Sequence, residues 1–362
     1  MISLNNSKNI FLIFILLSSI IIPATISSGN VPVSKTLTTS PSCTIFSIAL
    51  NDTVFFGNNE DYYEKKLYIW YLPSQNISTY VGTRTIYGTV FVGFLNKLKG
   101  EKYPCPNGGM NEYGLAYDIN GLPSSELVYY QDGSDFYTPN DWYIKTSLWD
   151  CKNVTEVIEW YKTHKWNAEI GGQIHYADAS GDAVVVSVNP STNKWTFTRK
   201  TGNFLISTNF NLNETSPSNG YPCSRYLTAK EMLSEIETEE DLTVQACADV
   251  LYATHVEGGP YTLYSNIFDL VNCDVYFNYG ENYQQQKKIH LPDIWNQPEE
   301  TFEKYNSKEF LGAKGYILVK PEKINDQFYD PTAKSSFSPV YVVIFALFVL
   351  YAYKRKKNNF RK

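Results

Sequence analysis

Histidine is scarce in this chain, with four among 362 residues, and His164, His175, His255 and His290 show no H-E-x-x-H or comparable ligand spacing. No Cys-x-x-Cys occurs, so a structural zinc site or a metalloprotease is not indicated. The P-loop pattern, the dinucleotide fingerprint and the Gly-x-Ser-x-Gly elbow are missing too, which removes the usual nucleotide and serine-hydrolase signals. No cofactor is expected. Glycine (21) and proline (17) are too few for a collagenous or low-complexity chain, and 43% hydrophobic content excludes a disordered one.

Charge is sparse and unevenly placed. Residues 1–42 hold Lys8 and Lys35 without an acid, and residues 354–362 hold six Lys/Arg without an acid. The middle keeps 23 basic against 37 acidic residues, a net −14. A body that acidic repels phosphate backbones, so nucleic acid is excluded as a partner.

The ends carry the apolar runs. Ile10 to Pro23 is uncharged and apolar just after Lys8, with small residues from Ala24 to Gly29 following. That pattern predicts a secretory signal over 1–28 and a Ser/Thr/Pro-rich spacer over 29–42. Near the other end, residues 337–353 form a short apolar segment, followed at once by Lys354-Arg355-Lys356-Lys357. We expect a linker over 321–336, a transmembrane helix over 337–353 and a cytoplasmic basic tail over 354–362, with the acidic body outside the cell membrane. Sequons at Asn51, Asn76, Asn153 and Asn213 agree with export and glycosylation. In an exported chain the six cysteines are candidates for disulfides, whose pairing the sequence leaves open.

Between the ends, strand-like text covers residues 43–50, 53–57, 80–94 and 114–119. Gly57-Asn58-Asn59-Glu60-Asp61 reads as the turn that closes the first hairpin. Asn153-Val154-Thr155-Glu156 is a capping-box-like helix start, and a capping Asn153 would weaken the case for glycosylation there. Strands return at 172–178, 183–188, 194–198 and 203–207. Helices are expected at 224–236 and 241–255, then strands at 262–277. Alternating sheet and helix blocks predict an α+β layered sandwich.

Five segments occur in order: Ser42-Cys43-Thr44; Gly57-Asn58-Asn59-Glu60-Asp61; Gly109-Met110-Asn111-Glu112-Tyr113-Gly114-Leu115-Ala116; Ser207-Thr208-Asn209; and Cys223-Ser224-Arg225. This set resembles the cysteine N-terminal-nucleophile (Ntn) hydrolases of the choloylglycine hydrolase and penicillin V acylase group. The acyl-coenzyme A:isopenicillin N acyltransferases are similar, and acid ceramidase is a more distant relative. The resemblance implies a four-layer αββα sandwich over 43–320 and hydrolysis of a linear, non-peptide C–N bond in a small N-acyl amide. It implies that Cys43, freed by self-cleavage, is the nucleophile. Asp61 would hold its amine, Asn209 and Asn120 would form the oxyanion hole, and Arg225 would favour the thiolate. The spacing of Asn120 from Gly114 is off by one from the bile-salt enzymes.

The chemistry is sound on general grounds. A thiol attacks an amide as thiolate, and a freed α-amine with pKa of about 7.7–8.0 is a base at neutral pH without any histidine. One position departs from the pattern: Asn58 stands where bile-salt enzymes carry Arg, so bile salts are not implied and Asn58 is assigned to substrate binding. Tyr129-Tyr130, Phe136-Tyr137 and Trp142-Tyr143 are candidates for an apolar acyl pocket, though aromatic core packing is the better single explanation. Acyl transfer to an amine, or a catalytically dead binding module on the same fold, are the alternatives.

Overall fold

The computed structural model describes residues 43–63, 67–79, 82–98, 101–122, 143–164, 171–258, 261–279, 283–284, 286–296 and 316–319. The expected signal, spacer, linker, membrane segment and basic tail lie outside the described residues, as do Tyr129, Tyr130, Phe136, Tyr137 and Trp142. Tyr143 opens a helix rather than a loop. Among the described residues no helix is long and apolar enough to cross a membrane.

The described residues open with eight strands: β1 (Thr44–Leu50), β2 (Thr53–Tyr62), β3 (Leu67–Leu72), β4 (Gln75–Thr79), β5 (Gly82–Ile86), β6 (Thr89–Leu98), β7 (Glu101–Asn111) and β8 (Ala116–Gly121). Helices α1 (Tyr143–Asp150) and α2 (Val154–Thr163) follow, then β9 (Gly172–Ala177), β10 (Ala183–Asn189), β11 (Lys194–Arg199) and β12 (Phe204–Ser207). Next come α3 (Ser224–Ser234) and α4 (Val244–Ala253), and then β13 (Tyr261–Asp269), β14 (Asp274–Tyr279), β15 (Lys287–His290), α5 (Leu291–Asn296) and β16 (Tyr316–Val319).

One sheet runs β12-β1-β2-β13-β14-β15, and the other β11-β10-β9-β8-β7-β6-β3-β16. Neighbouring strands are antiparallel except β16, which lies parallel to β3. Three apolar clusters separate four layers. Leu148, Trp149, Val154, Val157 and Tyr161 of α1 and α2 pack on Ile174, Tyr176, Val184 and Val186 of the larger sheet. Ile45, Phe56, Val92, Met110, Ala116 and Phe268 fill the space between the sheets. Phe46, Phe55 and Ile267 of the smaller sheet meet Ala229, Leu233, Cys247 and Leu251 of α3 and α4. The layers are helix, sheet, sheet, helix, as the family resemblance implies.

Period-two alternation explains this partition. In β2, Phe55 faces the helices and Phe56 faces the other sheet. The α2 start also matches its sequence signal: Asn153 Oδ1 accepts from the Glu156 amide at 2.9 Å, and Glu156 Oε2 accepts from the Lys152 amide at 2.7 Å. Asn153 is therefore an engaged cap.

One local expectation is corrected, and two expected strand stretches resolve into pairs of strands. Gly57 to Asp61 is not a turn: it lies inside β2, paired to β1 on one side and β13 on the other. The stretch 80–94 splits at Tyr87-Gly88 into β5 and β6, and 262–277 is a hairpin of two strands. All six cysteines are free thiols, so no disulfide contributes.

Candidate active site

Cys43 immediately precedes β1 and is buried. Its carbonyl oxygen accepts from Arg225 Nη1 at 2.9 Å and from Asn120 Nδ2 at 3.3 Å. The backbone at Cys43 is thus clamped from two other elements, the first turn of α3 and the end of β8. Two of the other residues singled out by the sequence, Asp61 and Asn209, complete the same cluster.

Arg225 is its hub. Beyond Cys43 it donates through Nη1 to Thr44 Oγ1 at 3.1 Å and through Nη2 to Asn209 Oδ1 at 2.9 Å. Its Nη1 stands 3.7 Å from Asp61 Oδ2. At Cys43 the guanidinium meets the carbonyl oxygen rather than the sulfur. Asn209, just past β12, donates its amide to Gly121 O at 2.6 Å, which ties β12 to the end of β8. Asp61 is buried and also accepts from the Thr262 hydroxyl. Burial pushes its carboxyl up to about 7, against the opposing pull of Thr262, Arg225 and His255.

The sulfur side is different. Cys43 Sγ lies 3.8 Å from Glu60 Oε2. Burial first, then the charges of Glu60 and Asp61, hold the thiol well above its usual range, while a hydrogen bond with the Asp61 backbone pulls it down. Glu60 is buried, and its Oε1 accepts from Asn107 Nδ2 at 2.5 Å. Asp118 is buried nearby; desolvation and the Glu60 charge raise its carboxyl far above the carboxylate range. Gly108 is what makes room for it, because a Cβ there would sit 2.3 Å from Asp118 Oδ2. Asn58 lies on the same face of β2 as Glu60, opposite Asn266, with both side chains buried and unbonded.

Glu60, Asp118, Asn107 and Thr262 carry no role in the sequence reading. Glu60 was available as a signal: in a strand, Phe56, Asn58 and Glu60 share a face, so an acid inside the β2 pattern points inward.

Other conspicuous residues serve the scaffold. Asn111, in the most specific sequence segment, donates to Leu148 O at 2.8 Å and Cys151 O at 2.7 Å, and accepts from the Tyr113 and Leu115 amides. It joins the β7–β8 turn to the end of α1. Gly114 in that turn has φ +73°, and a Cβ there would meet Leu270 O at 2.1 Å. His175 bridges Ser47 and Ser207 at 3.1 and 3.0 Å, and burial lowers its pKa to about 3. It is a neutral tie between the sheets. No group of His, Cys, Asp and Glu among the described residues is arranged to hold a metal ion.

The family model described as acyl-coenzyme A:6-aminopenicillanic acid acyl-transferase matches residues 49–282. Among solved structures, a variant of the conjugated bile acid hydrolase from Clostridium perfringens superposes with a TM-score of 0.52 at 16% identity, covering 69% of this chain and 93% of that one. Penicillin V acylase from Agrobacterium tumefaciens gives 0.51 at 17% identity, covering 68% and 84%. Comparison with curated proteins gives no match.

Proposed function

As this chain belongs to the acyl-coenzyme A:6-aminopenicillanic acid acyl-transferase family, within the choloylglycine hydrolase-like Ntn hydrolases, we propose that it cleaves the C–N bond of a small N-acyl amide through Cys43. The observation that carries this is the convergence on one cysteine at the head of a strand. Asn120 and Arg225 hold its carbonyl, and Asp61 lies beside Arg225. The enzyme is a hydrolase of linear amide bonds. Membership supports acyl chemistry on a linear amide, by hydrolysis or transfer, and both the choice of hydrolysis and the identity of the nucleophile are our reading.

In that reading, cleavage after Ser42 frees the Cys43 α-amine, which takes the thiol proton. The thiolate adds to the substrate carbonyl, and asparagine N–H groups from Asn209 and Asn120 stabilise the oxyanion. The C–N bond then breaks, the leaving amine takes the proton, and a thioester remains on Cys43. Water hydrolyses the thioester and restores the thiol. An amine in place of water gives acyl transfer, the second reading that the family's description favours. Neither route uses a cofactor.

The placement we propose is extracytoplasmic: a signal over 1–28, an anchor over 337–353, and the basic tail inside. It rests on the apolar runs and the acidic body. Release of amine from a panel of N-acyl amides tests the chemistry. Turnover by the wild-type protein and none by Cys43→Ala is expected, and turnover by Cys43→Ala overturns the reading.

A further inference from the structure

Cleavage after Ser42 raises a proton problem of its own. Until that bond breaks, the Cys43 nitrogen belongs to a peptide group, which donates a hydrogen bond and is no base. Some other group must take the thiol proton in the uncut chain.

A carboxylate stands at the sulfur. Cys43 Sγ donates to Glu60 Oε2 at 3.8 Å, and both side chains are buried. Catalytic hydrogen bonds are often this long before the reacting geometry forms. The other oxygen, Glu60 Oε1, accepts from Asn107 Nδ2 at 2.5 Å, and Asn107 Oδ1 accepts from the Cys105 thiol at 3.6 Å. The Cys105 contact keeps the N–H side of the Asn107 amide turned to the carboxylate. Three strands hold this chain of contacts. Cys43 heads β1, Glu60 lies in β2, which is paired on both sides, and Asn107 comes from β7 of the larger sheet.

Electrostatics favour the transfer. The Glu60 charge is one of the causes that hold the Cys43 thiol up, after burial. Passing the proton from sulfur to Glu60 relieves that repulsion, because the pair carries one negative charge before and after. No second charge enters the dry site. A hydrogen bond with the Asp61 backbone favours the thiolate so formed. Asp118 and Tyr264 feel the Glu60 charge too, and burial pushes both toward their neutral forms, in which neither competes as a base.

Resting on the reading of Cys43 as nucleophile, we infer that Glu60 is the general base of self-cleavage and that Asn107 positions it. Sγ adds to the Ser42 carbonyl carbon as its proton passes to Glu60. The Ser42–Cys43 C–N bond breaks, Glu60 gives the proton to the departing nitrogen, and the leader is left as a thioester on Cys43. Water hydrolyses that thioester, giving the leader a carboxyl end and Cys43 its thiol. The freed amine is then the base for substrate.

The test follows leader release by mass spectrometry in the full chain made by cell-free synthesis, from about pH 5 to 9. The wild-type rate is expected to level off once the carboxylate is ionised. Glu60→Gln keeps the size of the side chain, and release is expected to slow roughly 10²–10³-fold. What remains is expected to climb about tenfold per pH unit without levelling, since hydroxide must then make the thiolate. Asn107→Leu keeps the base and removes a donor that favours its charged form, so the rate is expected to level at higher pH. A merely structural role would not move that point. Release by Glu60→Gln at the wild-type rate, with Cys43→Ala uncut, overturns the inference and leaves Cys43 as nucleophile. A wild-type rate that climbs about tenfold per pH unit across the whole range overturns it even if neither variant folds. Release by Cys43→Ala overturns the nucleophile reading and the inference together.

Discussion

The space between the two sheets has two ends built from the same strands. At one end Val54, Phe56, Ala116, Phe268 and Val275 make a continuous apolar core. At the other, the inward positions of those strands are Asn58, Glu60, Asp118, Asn120, Tyr264 and Asn266, with Cys43 beside them. Backbone pairing continues through both. The apolar end wins free energy from burial, about 25 cal/mol per Å² of apolar surface. The polar end forfeits some of it, since a buried polar group left without a partner costs about 1–3 kcal/mol. A fold keeps such a region where chemistry needs it.

Truncating the apolar end has the largest expected effect. Phe56→Ala removes a wholly buried ring between the sheets, and a loss of about 3–5 kcal/mol is expected in denaturant unfolding. At the polar end the cost is expected to fall on rate. Arg225→Ala severs the ties to Cys43, Thr44, Asn209 and Asp61, and turnover is expected to drop by roughly 10²–10³. Equal loss of stability and rate in the two variants would erase the contrast between the ends.

A subtler effect concerns pH. The Asp61 carboxyl is raised from 3.8 to about 7, so the folded protein holds a proton that the unfolded chain releases at lower pH. The stability this contributes is fully present below about pH 4 and is lost as pH rises through about 7. Asp61→Asn is expected to flatten that segment of the melting-temperature profile while lowering turnover. An unchanged profile would show that Asp61 does not titrate there.

Much of this was legible in the sequence because it is local. The α2 cap follows from Asn153 and Glu156, and the α+β sandwich follows from alternating sheet and helix blocks, while the order of its layers came with the family resemblance. Cys43, Asp61, Asn120, Asn209 and Arg225 come from five separate segments, and the fold brings them together. What misled was also local. Gly57-Asn58-Asn59 has the composition of a turn, yet β13, whose Thr262 lies 201 residues beyond Asp61, holds it as a strand. The nearness of Glu60 to Asp118 is set by sheet packing, which no spacing in the chain encodes. Asn111 carried the strongest motif and proves to be a helix tie.

The central claim is that Cys43 is both the first residue of the mature chain and the acyl carrier. Terminal sequencing of active protein, with mass spectrometry of the acid-quenched enzyme during turnover, tests both parts at once. Cys43-Thr44-Ile45-Phe46 is expected at the terminus, and the acyl mass on the Cys43 peptide. An active chain that begins upstream of Cys43, or an acyl group on any other residue, would contradict it.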